Sequence, residues 1–155
     1  MAVIGGSDAH VLLQKGWIEA VALGARDTPY GRSQPVFRAR RDRAEFLFMP
    51  RHGEKGYGTA PSWVNYRANI YALKDLGVER IVAWSGPGAI KPAYAVGQFV
   101  VPHDVMDETR SRKGTFFENQ GLGFIRQNPV FCQQLRATIL ETLTRLGAPE
   151  ADGGV

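Results

Sequence analysis

An α/β domain is the fold class this sequence predicts, and three observations carry the prediction. Short apolar runs alternate with helically patterned segments, and several of the runs end in glycine-bearing loops. A chain of 155 residues with 44% hydrophobic content is also enough for one packed core, so residues 1–155 are expected to form a single domain. In chain order, "AVI" before Gly5-Gly6-Ser7 reads as a first strand that ends in a tight loop, and "WIEAVAL", "PVFRAR" and "EFLFM" read as further strands. From Ser62 to Leu76 the pattern turns helical, with Ser62 placed as N-cap and Gly77 as the stop. "RIVAWS" then reads as a buried strand entering a second glycine-rich loop, "SGPGAI", and "GQFVVP" as another strand. A loop over residues 103–128 leads to a last helix over 129–146, in which Phe131, Leu135, Ile139 and Leu146 share one stripe.

Composition and charge narrow the function classes. The net charge of +4 is densest at Arg38, Arg40, Arg41 and Arg43, a stretch that a nucleic-acid binder would set against phosphates. No aromatic residues interleave with these arginines as a stacking platform requires, and they run straight into "AEFLFMP". They read better as a solvated hairpin turn, and no nucleic-acid partner is expected. The single Cys132 has no partner for an intrachain disulfide, and no apolar run is long enough to span a membrane, so a reducing cytoplasm and no membrane association are expected.

Three loops share one property: Gly5-Gly6-Ser7, Arg51-His52-Gly53 and Ser85-Gly86-Pro87-Gly88 each follow a strand. In an α/β sheet, ligands sit at the carboxyl ends of strands, where such loops converge. Glycines let the backbone come close to a ligand, hydroxyls and free N–H groups donate to oxyanions, and an arginine forks onto phosphate. Singly the signals are weak: Gly5-Gly6-Ser7 fits an ordinary turn, His52 a structural histidine, and Ser85 a cap. Jointly they describe an anion site. Asn65 and Asn69, four residues apart on one helix face, either reach toward that site or tie loops together, and the supporting role is the better reading.

The same stretches resemble a known family. "VIGGS", "DTPYG", "PRHG", "PSWVNYRANIYALKDLG", "GAI", "GQFVVPHDVMDETRSRKGTFFE" and "PVFC", in this order from residue 2 to about residue 147, are similar to the methylthioadenosine phosphorylase branch of the trimeric purine nucleoside phosphorylases. The resemblance implies a mixed central sheet flanked by helices, and an enzyme that splits a purine nucleoside with inorganic phosphate into free base and pentose 1-phosphate. It implies no metal or organic cofactor, phosphate being a co-substrate. It further implies phosphate contacts at Ser7, Arg51, His52, Ser85 and Gly86, with Arg51 neutralising the anion and His52 donating to it. A homotrimer is implied, in which Phe124 of one subunit lies by a neighbour's nucleoside pocket. Phe116 and Phe117, paired among charges, are expected at that contact.

The chemistry fits these residue types. Breaking an N-glycosidic bond builds positive charge on the sugar, which a fixed phosphate stabilises while it stands ready to attack the anomeric carbon. In the resembled family, the residues that recognise the purine follow the final helix, whereas this sequence ends at "APEADGGV". An incomplete piece of a longer phosphorylase is therefore expected over a natural short form, and catalysis by these 155 residues alone is not expected. The alternative is a catalytically inactive phosphate- or nucleotide-binding module of the same fold. A second histidine shortly after Arg-His-Gly is missing, with "EKGYG" in its place and Tyr57 filling some of the space. Preference for 6-amino or 6-oxo bases, and for 5′-methylthio or 5′-hydroxyl groups, stays open.

Overall fold

Backbone pairing in the computed structural model, which describes residues 1–121 and 127–154, follows the strand pattern of the sequence closely. The chain forms two compact units, one built from Met1–Pro87 with Ser111–Phe116, the other from the described residues of 88–110 and 117–154. Phe124 lies outside the described residues.

The first unit carries β1 (Ala2–Gly5), α1 (Val11–Gln14), β2 (Glu19–Gly24), β3 (Asp27–Thr28), β4 (Gly31–Arg32), β5 (Val36–Arg41), β6 (Ala44–Pro50), a 3-10 turn at Pro61–Trp63, α2 (Tyr66–Asp75) and β7 (Ile81–Trp84). Five of the strands form one mixed sheet in the order β2-β5-β6-β1-β7. Within it β6, β1 and β7 run parallel, while β5 is antiparallel to both β2 and β6. The mixed sheet is thus as expected.

The side-chain alternation of strands explains how this sheet is covered on both faces. Val3, Phe37, Ala39, Phe46 and Phe48 belong to one cluster with Leu12 and Leu13 of α1, whereas Ala2, Ile4, Val36, Leu47 and Met49 belong to another with Leu73 of α2. The apolar runs of β1 and β6 are continuous because each supplies both clusters. Arg38, Arg40 and Arg41 lie on β5, and Arg43 lies in the hairpin turn to β6, where Asp42 takes φ 53°. Arg40 meets Glu19 across the β2–β5 pair at 2.6 Å, an exposed contact that adds little to stability. The hairpin reading of these arginines holds.

Two features of this unit differ from the sequence expectation, the start of α2 and the burial of β7. The cap of α2 is Asn65, whose side chain accepts from the Ala68 amide, and not Ser62, which sits inside the 3-10 turn. The pattern over residues 62–76 merges two helical segments, because Val64 between them keeps an extended backbone that hydropathy does not register. Gly77 ends α2 with φ 77°, as expected. β7 is not fully buried: it lies at the edge of the five-stranded sheet, with Ile81 and Val82 half-buried and Ala83 and Trp84 exposed.

In the second unit, β8 (Phe99–Val101) pairs in parallel with β9 (Glu150–Asp152), and α3 (Gln133–Arg145) packs against them. Arg136 of α3 donates to the carbonyls of Val101 and Pro102 and to the Asp152 carboxylate, pinning helix to strands. α3 begins four residues later than the start at 129 expected from its apolar stripe. Phe131, Leu135 and Ile139 are half-buried and Leu146 is exposed.

Phe48 is fully buried at the centre of the first cluster. Phe48→Ala is expected to lower the unfolding free energy by about 3–5 kcal/mol, measured by urea titration with circular dichroism.

Candidate anion-binding site

The three loops singled out in the sequence are brought together by strand register. In the parallel trio, Gly5 stands level with Pro50 of β6 and with Trp84 of β7. The residues that follow, Gly6-Ser7, Arg51-His52 and Ser85-Gly86, therefore leave the sheet side by side. Backbone bonds fasten the exits: the Arg51 amide donates to the Gly5 carbonyl at 3.0 Å, and the Gly6 amide donates to the Trp84 carbonyl at 2.8 Å.

Arg51 leaves β6 on one side of the first loop, and its side chain is held at two points of the guanidinium. Its Nη2 donates to Ser85 Oγ at 3.2 Å, and its Nε donates to His52 Nε2 at 3.1 Å. The His52 ring, buried to 5% exposure, meets the Thr59 carbonyl with Nδ1 at 2.8 Å. A carbonyl only accepts, so Nδ1 carries the proton and Nε2 is the acceptor that receives Arg51. Both ring nitrogens are thereby engaged with the protein. With Nδ1 on the Thr59 carbonyl and Nε2 receiving Arg51, His52 orients the guanidinium, and the anion contact expected of it competes with these two bonds.

Ser85 accepts from Arg51 and so keeps its own hydroxyl hydrogen to donate elsewhere. Among the described residues the Ser7 side chain makes no hydrogen bond, and Gly86 is exposed with no heavy atom within 4 Å of where a Cβ would stand. Gly6 is different. A Cβ there would come within 2.5 Å of Ser85 Oγ and 3.0 Å of Ser85 Cα, so the first and third loops approach only because residue 6 has no side chain. The result is a fixed cation on the Ser85 hydroxyl, with the Ser7 loop leaving the neighbouring strand and open backbone at Gly86, a combination suited to an oxyanion.

The supporting role expected of the two carboxamides holds. Asn65 Nδ2 donates to the Tyr30 carbonyl at 2.7 Å, and Asn69, buried to 3% exposure, accepts from the Gln34 amide at 2.8 Å. Gln34 in turn donates through Nε2 to Thr59 Oγ1 at 3.1 Å, next to the carbonyl that orients His52. Sequence reading missed Thr59 and Gln34, because a backbone carbonyl used as an orienting acceptor leaves no signature in residue type. Phe116 packs edge-to-face on Tyr30 of its own chain, centroids 5.2 Å apart, and Tyr30 Oη donates to the Phe116 carbonyl.

The chain belongs to the phosphorylase superfamily, whose family model matches residues 1–155. It is 37% identical over 155 residues to the S-methyl-5'-thioadenosine phosphorylase of Pyrococcus abyssi, an alignment covering 99% of this chain and 58% of that protein. It is 36% identical over 139 residues to a probable S-methyl-5'-thioinosine phosphorylase of Methanothermobacter thermautotrophicus, covering 90% and 48%. Among solved structures, a methylthioadenosine phosphorylase from an antarctic soil metagenomic library superposes with TM-score 0.83 at 25% identity, covering 98% of this chain and 53% of that one. The Schistosoma mansoni methylthioadenosine phosphorylase in complex with tubercidin gives TM-score 0.79 at 28% identity, covering 94% and 52%. The chain thus spans about half the length of the relatives it matches.

Gly6→Ala is expected to destabilise the protein by about 1–3 kcal/mol through overpacking against Ser85, while Gly88→Ala, with nothing within 4 Å of its Cβ position, stays near wild type. Paired urea titrations check the contrast.

Proposed function

We propose that this chain forms the phosphate-binding part of a purine nucleoside phosphorylase. In this reading, inorganic phosphate is the co-substrate and no metal or organic cofactor takes part. Ser7, Arg51, Ser85 and Gly86 contact the phosphate, and His52 holds Arg51 in place. The observation that carries the reading is the Arg51 guanidinium, tied to Ser85 and His52 at the level ends of three parallel strands. The relatives' names supply the reaction class, a phosphorylase acting on thioadenosine or thioinosine nucleosides in those proteins.

Phosphate held there plays two parts. It is the nucleophile at the anomeric carbon, and its negative charge stabilises the positive charge that grows on the pentose as the base departs. An arginine suits the task better than a lysine, since its planar fork fixes the direction of two donors at once. The full-length protein is proposed to be a cytoplasmic homotrimer in which Phe124 of one subunit adjoins a neighbour's nucleoside pocket. Among the described residues no helix is long and apolar enough to cross a membrane.

In the full-length protein, Arg51→Ala is expected to raise the KM for phosphate and to lower kcat/KM about ten- to a hundredfold, the worth of one charge-assisted bond. Initial rates at varied phosphate check it, and unchanged phosphate kinetics would remove Arg51 from the site. Binding of phosphate with no cleavage of any purine nucleoside would leave the inactive binding module instead. Light scattering is expected to give a trimer mass, and Phe124→Ser to change the preference for apolar 5′ groups. A monomer that still cleaves nucleosides would refute the shared pocket.

A further inference from the structure

Asp8, His10 and Tyr57 play no part in the contacts described so far, yet they form a built arrangement directly beside them. Asp8 follows Ser7 in the first loop, and its carboxylate accepts a hydrogen bond from Tyr57 Oη at 2.8 Å. Tyr57 is carried by the excursion between His52 and Thr59. That excursion is closed at its base by two bonds, Thr59 N–H to the His52 carbonyl at 3.2 Å and His52 Nδ1 to the Thr59 carbonyl at 2.8 Å. Its tip rests on the first loop. The His10 and Tyr57 rings meet edge-on with centroids 6.0 Å apart, and a Cβ at Gly56 would lie 2.4 Å from the His10 ring. Asp8 and Tyr57 both take left-handed backbone, φ 61° and 51°, conformations that cost free energy outside glycine and persist where surrounding contacts fix them.

The position of Asp8 raises an electrostatic question. A carboxylate adjoining the residue that is to donate to phosphate repels a dianion, and at separations of about 6 Å such repulsion is felt even in water. We propose that Tyr57 is a positioning residue for the anion-binding loop, its hydroxyl holding the Asp8 carboxylate aside so that phosphate meets Ser7 and Arg51 without a competing fixed negative charge. The inference rests on the phosphate-site reading above. The hydrogen bond to Asp8 raises the Tyr57 pKa from its ordinary value, in keeping with the phenol acting as the donor. The strap also couples the first two loops, because the same His52–Thr59 pair that closes it orients Arg51.

The test is the affinity of the full-length protein for inorganic phosphate, by isothermal titration calorimetry, in wild type, Tyr57→Phe, Asp8→Asn, the double variant and Arg51→Ala. Tyr57→Phe keeps the ring against His10 and removes only an exposed hydroxyl, so the fold is retained. It is expected to weaken phosphate binding about three- to tenfold. Asp8→Asn binds phosphate at least as well as wild type, and the double variant returns to within about twofold of Asp8→Asn, because a released amide carries no charge to repel the anion. A purely structural strap predicts instead that the double variant is as weak as Tyr57→Phe, and that result overturns the proposal. If Tyr57→Phe binds like wild type while Arg51→Ala loses affinity, the proposal falls and the phosphate site stands. If Arg51→Ala also binds like wild type, the site reading itself fails and the proposal with it.

Discussion

The arrangement of the first unit depends on one constraint, the shared register of β6, β1 and β7. Parallel pairing sets Gly5, Pro50 and Trp84 level, and the three chains then have to leave the sheet at the same height, each about 5 Å from the next. Register in a two-face-covered sheet is strongly specified, since a one-residue slip would exchange the side chains of the two core clusters. Phe46 and Phe48 would turn toward α2 while Leu47 and Met49 turned toward α1. Core packing thus fixes where the three loops start, and the candidate site inherits its precision from the buried hydrophobic residues of the sheet.

From those starting points a hydrogen-bonded series holds the cation. Asn69 of α2 accepts from Gln34, Gln34 donates to Thr59, the Thr59 carbonyl receives His52, and His52 receives Arg51, which reaches Ser85. Each member is a local and ordinary bond. Their joint effect is to take rotamer freedom from a long side chain before any anion arrives, and an arginine otherwise has about 2 kcal/mol of such freedom to lose on binding. Because Asn69 and His52 are buried, their polar groups need these partners irrespective of any ligand. The same bonds that satisfy the interior also orient the guanidinium.

Much of this was legible in the sequence, and what escaped did so for physical reasons. The strands of the five-stranded sheet were readable because apolar runs ending in glycine or proline leave a compositional trace, and the loops stood out as Gly, Ser, Arg and His clustered after such runs. The cap of α2 was misplaced because Ser62 and Asn65 are both good capping residues, and what decides between them is the extended backbone at Val64. The short hairpin of β3 and β4 and the single-turn α1 bury too little for a periodic signal. His52 stood out in the sequence beside Arg51, but its tautomer did not: that is set by the carbonyl of Thr59, which any residue at position 59 would supply. Substrate choice was not readable, since the chain spans about half the length of its relatives.

Gly6 shows how closely the fold and the site are joined. A turn after a strand accepts many residues, and nothing in the local sequence separates a glycine needed for backbone freedom from one needed for space. Here space decides. Gly6 is not among the residues with positive φ, whereas a side chain on it would strike both the hydroxyl and the backbone of Ser85. Rotating Ser85 away would relieve the clash with Oγ but not the one with Cα, so β7 and the first loop would have to part. Parting them lengthens the reach from Arg51 to Ser85, already 3.2 Å, beyond a hydrogen bond, and frees the guanidinium on that side. The absence of one methyl group is therefore a condition for the cation being held at Ser85 as well as at His52, and the geometry of the three loops is set as much by what residue 6 lacks as by what residues 51, 52 and 85 carry.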